Sequence, residues 1–209
     1  MMRGGSMINV GDFEILVRNI SSLKETSIDS NEVGSERYMT LSEVRVVNFD
    51  SVKREYIHEL GLSVEPKSND ALYISTDGRL VFIEFKNGFI DREKQFAIRK
   101  KIYDSVLIFS DIVGLGISIM RKEVDYVLVI NEDRNSGIVE ETGNIVQPST
   151  SYDDIAKYTS RQAKEKYIPF GIRIFKNYCF REVDVFSKSD FERYVSEVLE
   201  RNRNALQMN

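Results

Sequence analysis

The segment from Asn69 to Asn87 constrains the fold more strongly than any other part of the chain. It contains two runs rich in apolar, β-branched and aromatic residues, ALYIS and RLVFIEFKN, which are separated by Thr76-Asp77-Gly78. Such runs are typical of strands, and Asp-Gly tolerates the positive φ angles of a tight hairpin turn. The segment therefore predicts two antiparallel strands joined by a short turn.

Spacing patterns elsewhere predict helices. From about Thr40 to Leu60, apolar residues recur at intervals of three and four, the repeat of one helix face, and Gly61 favours a helix end. A second helix is predicted over 91–109, with its apolar positions at Phe96, Ile102, Tyr103, Val106 and Leu107. We also predict a polar helix over 153–165 and a C-terminal helix that begins at Ser189 with the capping-box pattern S-x-x-E.

Further strands are predicted over 13–20, 125–131, 171–175 and 179–186. Strands that alternate with helices in this order predict an α/β fold in which a mixed β-sheet core is flanked by helices. The chain of 209 residues contains no internal repeat or low-complexity linker and only three prolines. We therefore expect a single domain over 1–209 with one core.

The scarcity of histidine and cysteine excludes several classes of site. His58 and Cys179 are the only residues of their types, so neither an internal disulfide nor a zinc site built from several His and Cys ligands can form. His58 lies in a polar stretch and is expected to be a solvated helix residue. Any catalysis must therefore depend on carboxylates, lysines and metal ions that prefer oxygen ligands.

Apolar patterning and charge limit the partners. No apolar run approaches the roughly 20 residues needed to cross a bilayer, and the N-terminus lacks the apolar core of a signal peptide, so we expect a cytoplasmic protein without a membrane partner. The net charge is −4. Proteins that coat nucleic acid non-specifically are usually basic, whereas a local basic groove remains compatible with this charge.

One strand of the predicted pair carries Glu84 and Lys86, which are two residues apart and so point to the same side of the sheet. Asp70 begins the other strand, and the hairpin brings it close to both. Two neighbouring carboxylates ionise together at low free-energy cost only when a cation joins them. Mg²⁺ binds through one or two carboxylates together with water and phosphate oxygens. These residues therefore predict a metal site in which Lys86 stabilises negative charge on a phosphate or orients the attacking water.

The segment SND-ALYIS-TDG-RLVFIEFKNG resembles the core of the PD-(D/E)xK nuclease superfamily, which includes many restriction enzymes and Holliday-junction resolvases. The resemblance implies Asp70 and Glu84 as metal ligands, Lys86 as the catalytic lysine, Mg²⁺ or Mn²⁺ as the cofactor and a restriction-endonuclease-like fold. It covers about residues 45–131. The usual proline before the aspartate is absent, because Asn69 occupies that position.

Members of this superfamily often add further site residues from helices. An additional acid from the helix before the aspartate strand would be Asp50, Glu55 or Glu59. Asp50 and Glu59 lie at the edges of the apolar face and Glu55 lies further towards solvent, and the favoured interpretation of each one singly is a solvated charge. Gln95 and Tyr103 weakly resemble the glutamine-and-tyrosine helix motif of RecB-like members, with a spacing of eight residues instead of four.

The helix predicted over 91–109 is also basic, with cations at Arg92, Lys94, Arg99, Lys100 and Lys101. This pattern is compatible with a face that contacts phosphates near the site. For each cation singly, an ordinary solvated helix face is the favoured interpretation, because few aromatic residues lie between the five.

Two functions from different classes fit these observations. The first is a Mg²⁺- or Mn²⁺-dependent nuclease that hydrolyses phosphodiester bonds in DNA, with RNA as the less favoured substrate. A homodimer would supply the two sites needed to cut both strands of a duplex. The second is a catalytically weak or inactive nuclease-fold protein that binds a partner or regulates it. Independently of these two functions, the three residues are also compatible with a surface strand in which Glu84 and Lys86 form an ordinary ion pair and Asp70 caps a turn.

Overall fold

The computed structural model of the chain describes residues 10–75, 78–135 and 168–200. A six-stranded sheet lies at their centre, and its strands lie side by side in chain order. The strands are β1 (Ile20–Ser22), β2 (Arg45–Asn48), β3 (Ala71–Ile74), β4 (Leu80–Lys86), β5 (Val124–Ile130) and β6 (Val183–Ser187). The pairs from β1 to β4 are antiparallel, whereas β4, β5 and β6 pair in parallel.

Helices cover both faces of the sheet. They are α1 (Glu14–Arg18), α2 (Leu23–Thr26), α3 (Phe49–Leu60), α4 (Arg92–Val113), α5 (Ile117–Glu123) and α6 (Lys188–Tyr194). Short 3-10 segments span Val10–Asp12, Gly34–Arg37 and Arg173–Phe175, and a π-helical turn, Val195–Leu199, extends α6. The predicted α/β class, with a mixed sheet flanked by helices, is confirmed.

The central strand β4 is buried on both sides of the sheet. On one side, the ring of Phe82 contacts that of Phe109 on α4, with 5.6 Å between centroids. On the other side, Phe85 contacts Phe191 of α6 at 5.5 Å. Because side chains alternate along a strand, Glu84 lies on the same side as Phe82 and faces the layer that contains α4.

The antiparallel pair predicted from ALYIS and RLVFIEFKN is confirmed. In the register of β3 and β4, Ala71 lies opposite Ile83 and Ile74 lies opposite Leu80. Gly78 has a positive φ of +83°, which glycine adopts without a steric penalty. The turn residues Thr76 and Asp77 lie outside the described residues.

The helix predicted from Thr40 begins only at Phe49, because residues 45–48 form β2. Val46 and Val47 are fully buried within the sheet, where β-branched side chains pack well. Asn48 then caps α3, since its side-chain oxygen accepts a hydrogen bond of 3.0 Å from the Ser51 N–H. The predicted end at Gly61 is confirmed, with a φ of +63°.

Two predicted strands are wrong. Most of 13–20 forms α1, and β1 starts only at Ile20; apolar runs as short as this one do not separate helix from strand. Residues 173–175 form a 3-10 turn instead of a strand. Phe170 and Gly171 precede this turn with φ angles of +62° and +64°, which bend the chain out of an extended conformation.

The remaining predictions differ mainly in their boundaries. The strand predicted over 125–131 is β5, and the one predicted over 179–186 begins at Val183. The C-terminal helix begins at Lys188, and its cap is Ser187 instead of Ser189, since Ser187 accepts from the Asp190 N–H. Helix α5 was not predicted, and the helix predicted over 153–165 lies outside the described residues.

The predicted buried face of α4 is confirmed only in part. Ile102 and Val106 are buried as predicted, but Phe96 and Leu107 are 69% and 68% exposed. Ile98 and Phe109, which were not among the predicted positions, are fully buried. The exposed and the buried apolar residues both have helical spacing, so the pattern alone cannot choose which of the two stripes faces the sheet.

Among the described residues, no single helix has the length and apolarity to cross a membrane, although α4 and α5, bent by 104° at their junction, satisfy both criteria as a pair.

Candidate active site

The structure brings Asp70, Glu84 and Lys86 together at one end of β3 and β4. Asp70 directly precedes β3, and Glu84 and Lys86 lie at the C-terminal end of β4. The backbone pairing between β3 and β4 ends where Ala71 lies opposite Ile83. Beyond that point, the Phe85 N–H donates a 2.7 Å hydrogen bond to Oδ2 of Asp70. The aspartate side chain thus continues the ladder and holds its carboxylate beside the strand that carries Glu84.

A fourth residue, Lys101 of α4, completes the cluster. Its Nζ lies 3.0 Å from Oδ1 of Asp70 and 2.7 Å from Oε1 of Glu84. The Nζ of Lys86 lies 2.5 Å from the same Glu84 oxygen. Two carboxylates and two ammonium groups therefore form one compact set of charges, in which Lys101 joins both acids.

These charges are largely removed from solvent. The Glu84 side chain is completely buried, and those of Asp70, Lys101 and Lys86 are 15%, 18% and 23% exposed. A carboxylate in such surroundings needs charged partners or hydrogen bonds to remain ionised. Lys101 and Lys86 supply charged partners to one oxygen of Glu84. Among the described residues, no group donates a hydrogen bond to its other oxygen, Oε2.

The electrostatics of Glu84 and Lys101 follow from this arrangement. The pKa of Glu84 is raised overall, mainly by burial and then by the charge of Asp70, while Lys101 and Lys86 oppose this rise. Burial by itself would lower the pKa of Lys101, but the carboxylates of Glu84 and Asp70 outweigh it and raise that pKa overall. Lys101 is therefore an ammonium ion throughout the neutral range.

Tyr126 lies deeper in the same layer. It is opposite Phe82 in the parallel pairing of β4 and β5, and its ring stacks on Phe180 with 5.3 Å between centroids. Its hydroxyl is buried and has no hydrogen-bond partner among the described residues. Burial raises the pKa of Tyr126, and the charges of Glu84 and Asp70 add to the effect. The hydroxyl therefore remains protonated.

A cleft of about 450 Å³ opens beside the cluster. Asp70, Lys86 and Lys94 are among its lining residues, and residues 26–32, which start at the last residue of α2, form part of its wall. Arg134, which also lines the cleft, forms an ion pair with Glu32 across it. The cleft therefore gives a ligand access to Asp70 and Lys86, between walls that carry charges of both signs.

The three acids proposed from α3 lie in different surroundings. Oδ1 of Asp50 accepts a hydrogen bond from the Ser68 hydroxyl, two residues before Asp70. Glu55 accepts from Arg18 and Asn19, and Glu59 lies 3.5 Å from Arg18. Glu55 and Glu59 are thus directed towards α1. Within the described residues, no group of three or more His, Cys, Asp or Glu side chains is arranged to hold a metal ion.

Gln95 lies on a different side of α4 from the site. The cleft is lined by Lys94 and Ala97, and Lys101 continues that stripe one turn later. Successive helix residues are about 100° apart, so Gln95 is rotated away from Lys94 and the stripe. Tyr103 is 42% exposed, and its ring contacts that of Phe175 at 5.0 Å.

The basic residues of α4 do not form one common face. Lys101 belongs to the carboxylate cluster and Lys94 lines the cleft, whereas Lys100 pairs with Asp104 at 2.7 Å. The guanidinium of Arg99 lies against Gly171, so close that a Cβ atom on that glycine would come within 2.3 Å of Nη2. Arg92 is exposed in the first turn. Lys101 and Lys94 are therefore the two of these five cations that the structure brings to the site.

The role of Lys101 is not predicted by the sequence, which groups it with the solvent-facing cations. One signal was present. Ile98 and Ser105, three residues before and four residues after Lys101, are fully buried and lie on nearly the same side of the helix. A lysine within the core-facing side of an amphipathic helix needs a charged partner, and its partners are the two carboxylates.

The donor set fits a divalent metal such as Mg²⁺ or Mn²⁺. One cation, the Lys101 ammonium, already lies within 3.0 Å of an oxygen from each carboxylate, so both acids can reach a common ion. Oε2 of Glu84 is a buried acceptor without a hydrogen bond from the described residues. Mg²⁺ commonly takes one or two carboxylates and completes its shell with water and phosphate oxygens. Asp70 and Glu84 match that requirement.

Comparisons with protein-family models, with curated proteins and with solved structures found no match to this chain. The resemblance to the PD-(D/E)xK superfamily therefore depends on the sequence pattern alone, over about residues 45–131 and centred on Asp70–Lys86. The mixed sheet and the clustering of Asp70, Glu84 and Lys86 are compatible with it. Membership in that superfamily stays a prediction.

Proposed function

We propose that this protein is a Mg²⁺- or Mn²⁺-dependent nuclease of the PD-(D/E)xK type that hydrolyses phosphodiester bonds in DNA, with RNA as the second choice of substrate. The observation that carries the proposal is the sharing of one cation by Asp70 and Glu84, at 3.0 and 2.7 Å, beside Lys86 and an open cleft. A cation site of this kind next to a second lysine is suited to phosphate chemistry.

In this proposal, Asp70 and Glu84 hold the metal ion. When bound, the ion would supply positive charge for the phosphate oxygens and lower the pKa of a water molecule. The backbone N–H of Phe85 keeps the Asp70 carboxylate in position. Because this hydrogen bond fixes Asp70 beside β4, the Asp70 and Glu84 carboxylates can bind the same ion.

Lys86 is the residue proposed to act on the substrate. Its Nζ pairs with Glu84, yet its side chain is 23% exposed and lines the cleft. An ammonium ion in that position donates hydrogen bonds to a phosphate oxygen on which negative charge develops, or orients the attacking water. Lys94, on the same cleft, provides a second cation for the nucleic-acid backbone.

The test is cleavage of single-stranded DNA, duplex DNA and RNA with Mg²⁺ and with Mn²⁺. We expect cleavage that requires the metal and that is lost in Glu84→Gln and in Lys86→Met. Lys122→Met is the matched control, since Lys122 is an exposed lysine of α5. Absence of cleavage of all three nucleic acids with both metals would overturn the proposal.

A second function is favoured by one specific observation. Lys101 and Lys86 already neutralise the two carboxylates from within the chain, so the cluster is electrostatically complete without a metal ion. A nuclease-fold protein that binds a partner or regulates it, without catalysis, would have such a cluster. The net charge of −4 adds to this alternative. A stable protein complex in a pull-down, together with no detectable Mn²⁺ binding by calorimetry, would favour it over the nuclease.

We also propose a cytoplasmic location, since the single cysteine, Cys179, is buried and unpaired as is common in reducing compartments.

We propose a homodimer as well, because two active sites would allow both strands of a duplex to be cut in one binding event. Sedimentation analysis with and without duplex DNA tests this point, and a monomer in both conditions would overturn the homodimer.

A further inference from the structure

We propose that Lys101 is an internal counter-ion that competes with the divalent metal, so that its ammonium holds Asp70 and Glu84 in the metal-free protein and leaves them when the metal binds. The inference rests on the proposed function, because it takes Asp70 and Glu84 as the metal ligands. It assigns to Lys101 a role in setting metal affinity, and not in contacting the substrate.

The contacts of Lys101 show why the two cations exclude one another. Its Nζ lies 2.7 Å from Oε1 of Glu84 and 3.0 Å from Oδ1 of Asp70. The other oxygen of Asp70, Oδ2, already accepts from the Phe85 N–H. Oδ1 is therefore the Asp70 oxygen that faces Lys101. A metal ion about 2.1 Å from both Oδ1 and Oε1 of Glu84 would take the space of the ammonium, which contacts the same two oxygens, and two cations this close repel strongly.

Lys101 is better suited to this role than Lys86. The ion pair of Lys86 is with Glu84, whereas Lys101 pairs with both acids. Lys86 is also fixed to the same strand as Glu84 and projects from the same side of it. Lys101 comes from a helix in the layer above the sheet, and its four-carbon chain can move without any change in β3 or β4.

Space next to α4 can accept the Lys101 ammonium when a metal displaces it. Side chains on a helix lean towards its N-terminus and lie over the preceding turn. The residue one turn before Lys101 is Ala97, which lines the cleft. Because alanine leaves space above it, the Lys101 side chain can swing towards the cleft and keep its charge near solvent.

Removal of Lys101 then has two opposite effects. Without metal, it leaves Asp70 and the fully buried Glu84 with one fewer cation, which destabilises the protein. With metal, it removes a competitor, so the metal binds more tightly and restores the lost stability. A ligand that binds only the folded state stabilises it in proportion to RT ln(1 + [L]/Kd), which links the two effects.

The experiment is Mn²⁺ binding by isothermal titration calorimetry to wild type, Lys101→Met and Lys101→Gln, with thermal unfolding of each protein with and without Mn²⁺. We expect both variants to bind Mn²⁺ about tenfold more tightly than wild type or better, the scale of a typical coupling between two sites. Their melting temperatures should be lower than that of wild type without metal and rise more on Mn²⁺ addition. The glutamine variant provides a second test if the methionine variant does not fold.

Lys100→Met is the matched control, because Lys100 is the neighbouring lysine of α4 and pairs with Asp104 at 2.7 Å. It should bind Mn²⁺ as wild type does. Equal or weaker Mn²⁺ affinity in both Lys101 variants would overturn the inference and leave the metal site intact. An absence of Mn²⁺ binding by wild type and both variants would overturn the inference together with the metal site itself.

Discussion

The backbone N–H of Phe85 donates a hydrogen bond of 2.7 Å to the Asp70 carboxylate. This contact joins the start of β3 to the strand that carries Glu84, at the position where backbone pairing has ended. One carboxylate oxygen thereby fixes Asp70 to β4, and the other pairs with Lys101. Asp70 therefore has both a structural role and a role in the charge cluster, and a substitution can separate the two.

Asp70→Asn separates them. Asparagine retains an oxygen that accepts from the Phe85 N–H, but it loses the charge, so we expect a folded protein with near-normal circular dichroism. Mn²⁺ affinity should fall by more than the roughly 10–100-fold typical of outer-shell changes around a metal. Calorimetric titration with Mn²⁺ measures the loss. Asp91→Asn is the control, because Asp91 caps α4 by accepting from the Lys94 N–H and asparagine caps equally well. Unchanged Mn²⁺ affinity in Asp70→Asn would contradict Asp70 as a ligand.

Tyr126→Phe tests the buried hydroxyl near the site. The hydroxyl has no partner among the described residues, so its removal should leave the free energy of unfolding unchanged or raise it, by up to about 1 kcal/mol. Tyr73→Phe is the matched comparison, since the Tyr73 hydroxyl donates to the Leu199 carbonyl at 2.8 Å. That variant should lose about 1 kcal/mol. Urea unfolding measures both, and a clear loss in Tyr126→Phe would reveal a hydrogen bond to its hydroxyl.

The site was predictable where it depends on short-range geometry. A hairpin places residues near its open end opposite each other whatever surrounds it, so Asp70, Glu84 and Lys86 could be grouped from the Asn69–Asn87 segment alone. Lys101 could not, because its contact with the carboxylates depends on which stripe of α4 faces the sheet. Because α4 carries two apolar stripes, the stripe that faces the sheet is decided by packing between the helix and the sheet, which the local sequence does not specify.

The errors at other elements have similar causes. Residues 45–48 continue the apolar spacing of α3, but their pairing with strands on both sides makes them a strand. The wall of the cleft formed by residues 26–32 was not predicted either. This segment has no periodic pattern, and its place beside Asp70 follows from the pairing of β1 with β2, which is a long-range contact.

Glu132→Gln should make stability less dependent on pH. Glu132 follows β5 and accepts from the N–H groups of Lys188 and Ser189 at 3.0 and 3.4 Å, at the start of α6. Burial acts to raise the pKa of Glu132, but hydrogen bonds from its own N–H and from Lys188 and Ser189 outweigh it, so that pKa lies below the usual 4.5. A lowered pKa means that the carboxylate stabilises the fold above pH 4.5 and loses this effect as the pH falls through its folded-state value.

The measurement is the melting temperature of wild type and Glu132→Gln across the acidic range. Wild type should be the more stable of the two at neutral pH, and the difference should shrink as the pH falls below the usual glutamate pKa. Glu93→Gln, a change at an exposed acid in the first turn of α4, serves as a control for the general effect of charge removal. A difference between wild type and Glu132→Gln that is constant with pH would contradict the role of the charge.

Lys94→Gln tests the cleft as the path of the nucleic-acid backbone. Lys94 lines the cleft with Lys86 and is half-exposed. Its Nζ donates to the Phe89 carbonyl at 2.8 Å and lies 3.9 Å from Oδ2 of Asp91, so the charge is held in position and is only weakly paired. If this charge contacts a phosphate, the variant should bind DNA more weakly, and the slope of log K against log[salt] should fall in magnitude by about 1. Fluorescence anisotropy with labelled DNA at several salt concentrations measures both quantities. Lys122→Met, outside the cleft, should keep the wild-type slope, and the same slope in Lys94→Gln would place the DNA elsewhere on the protein.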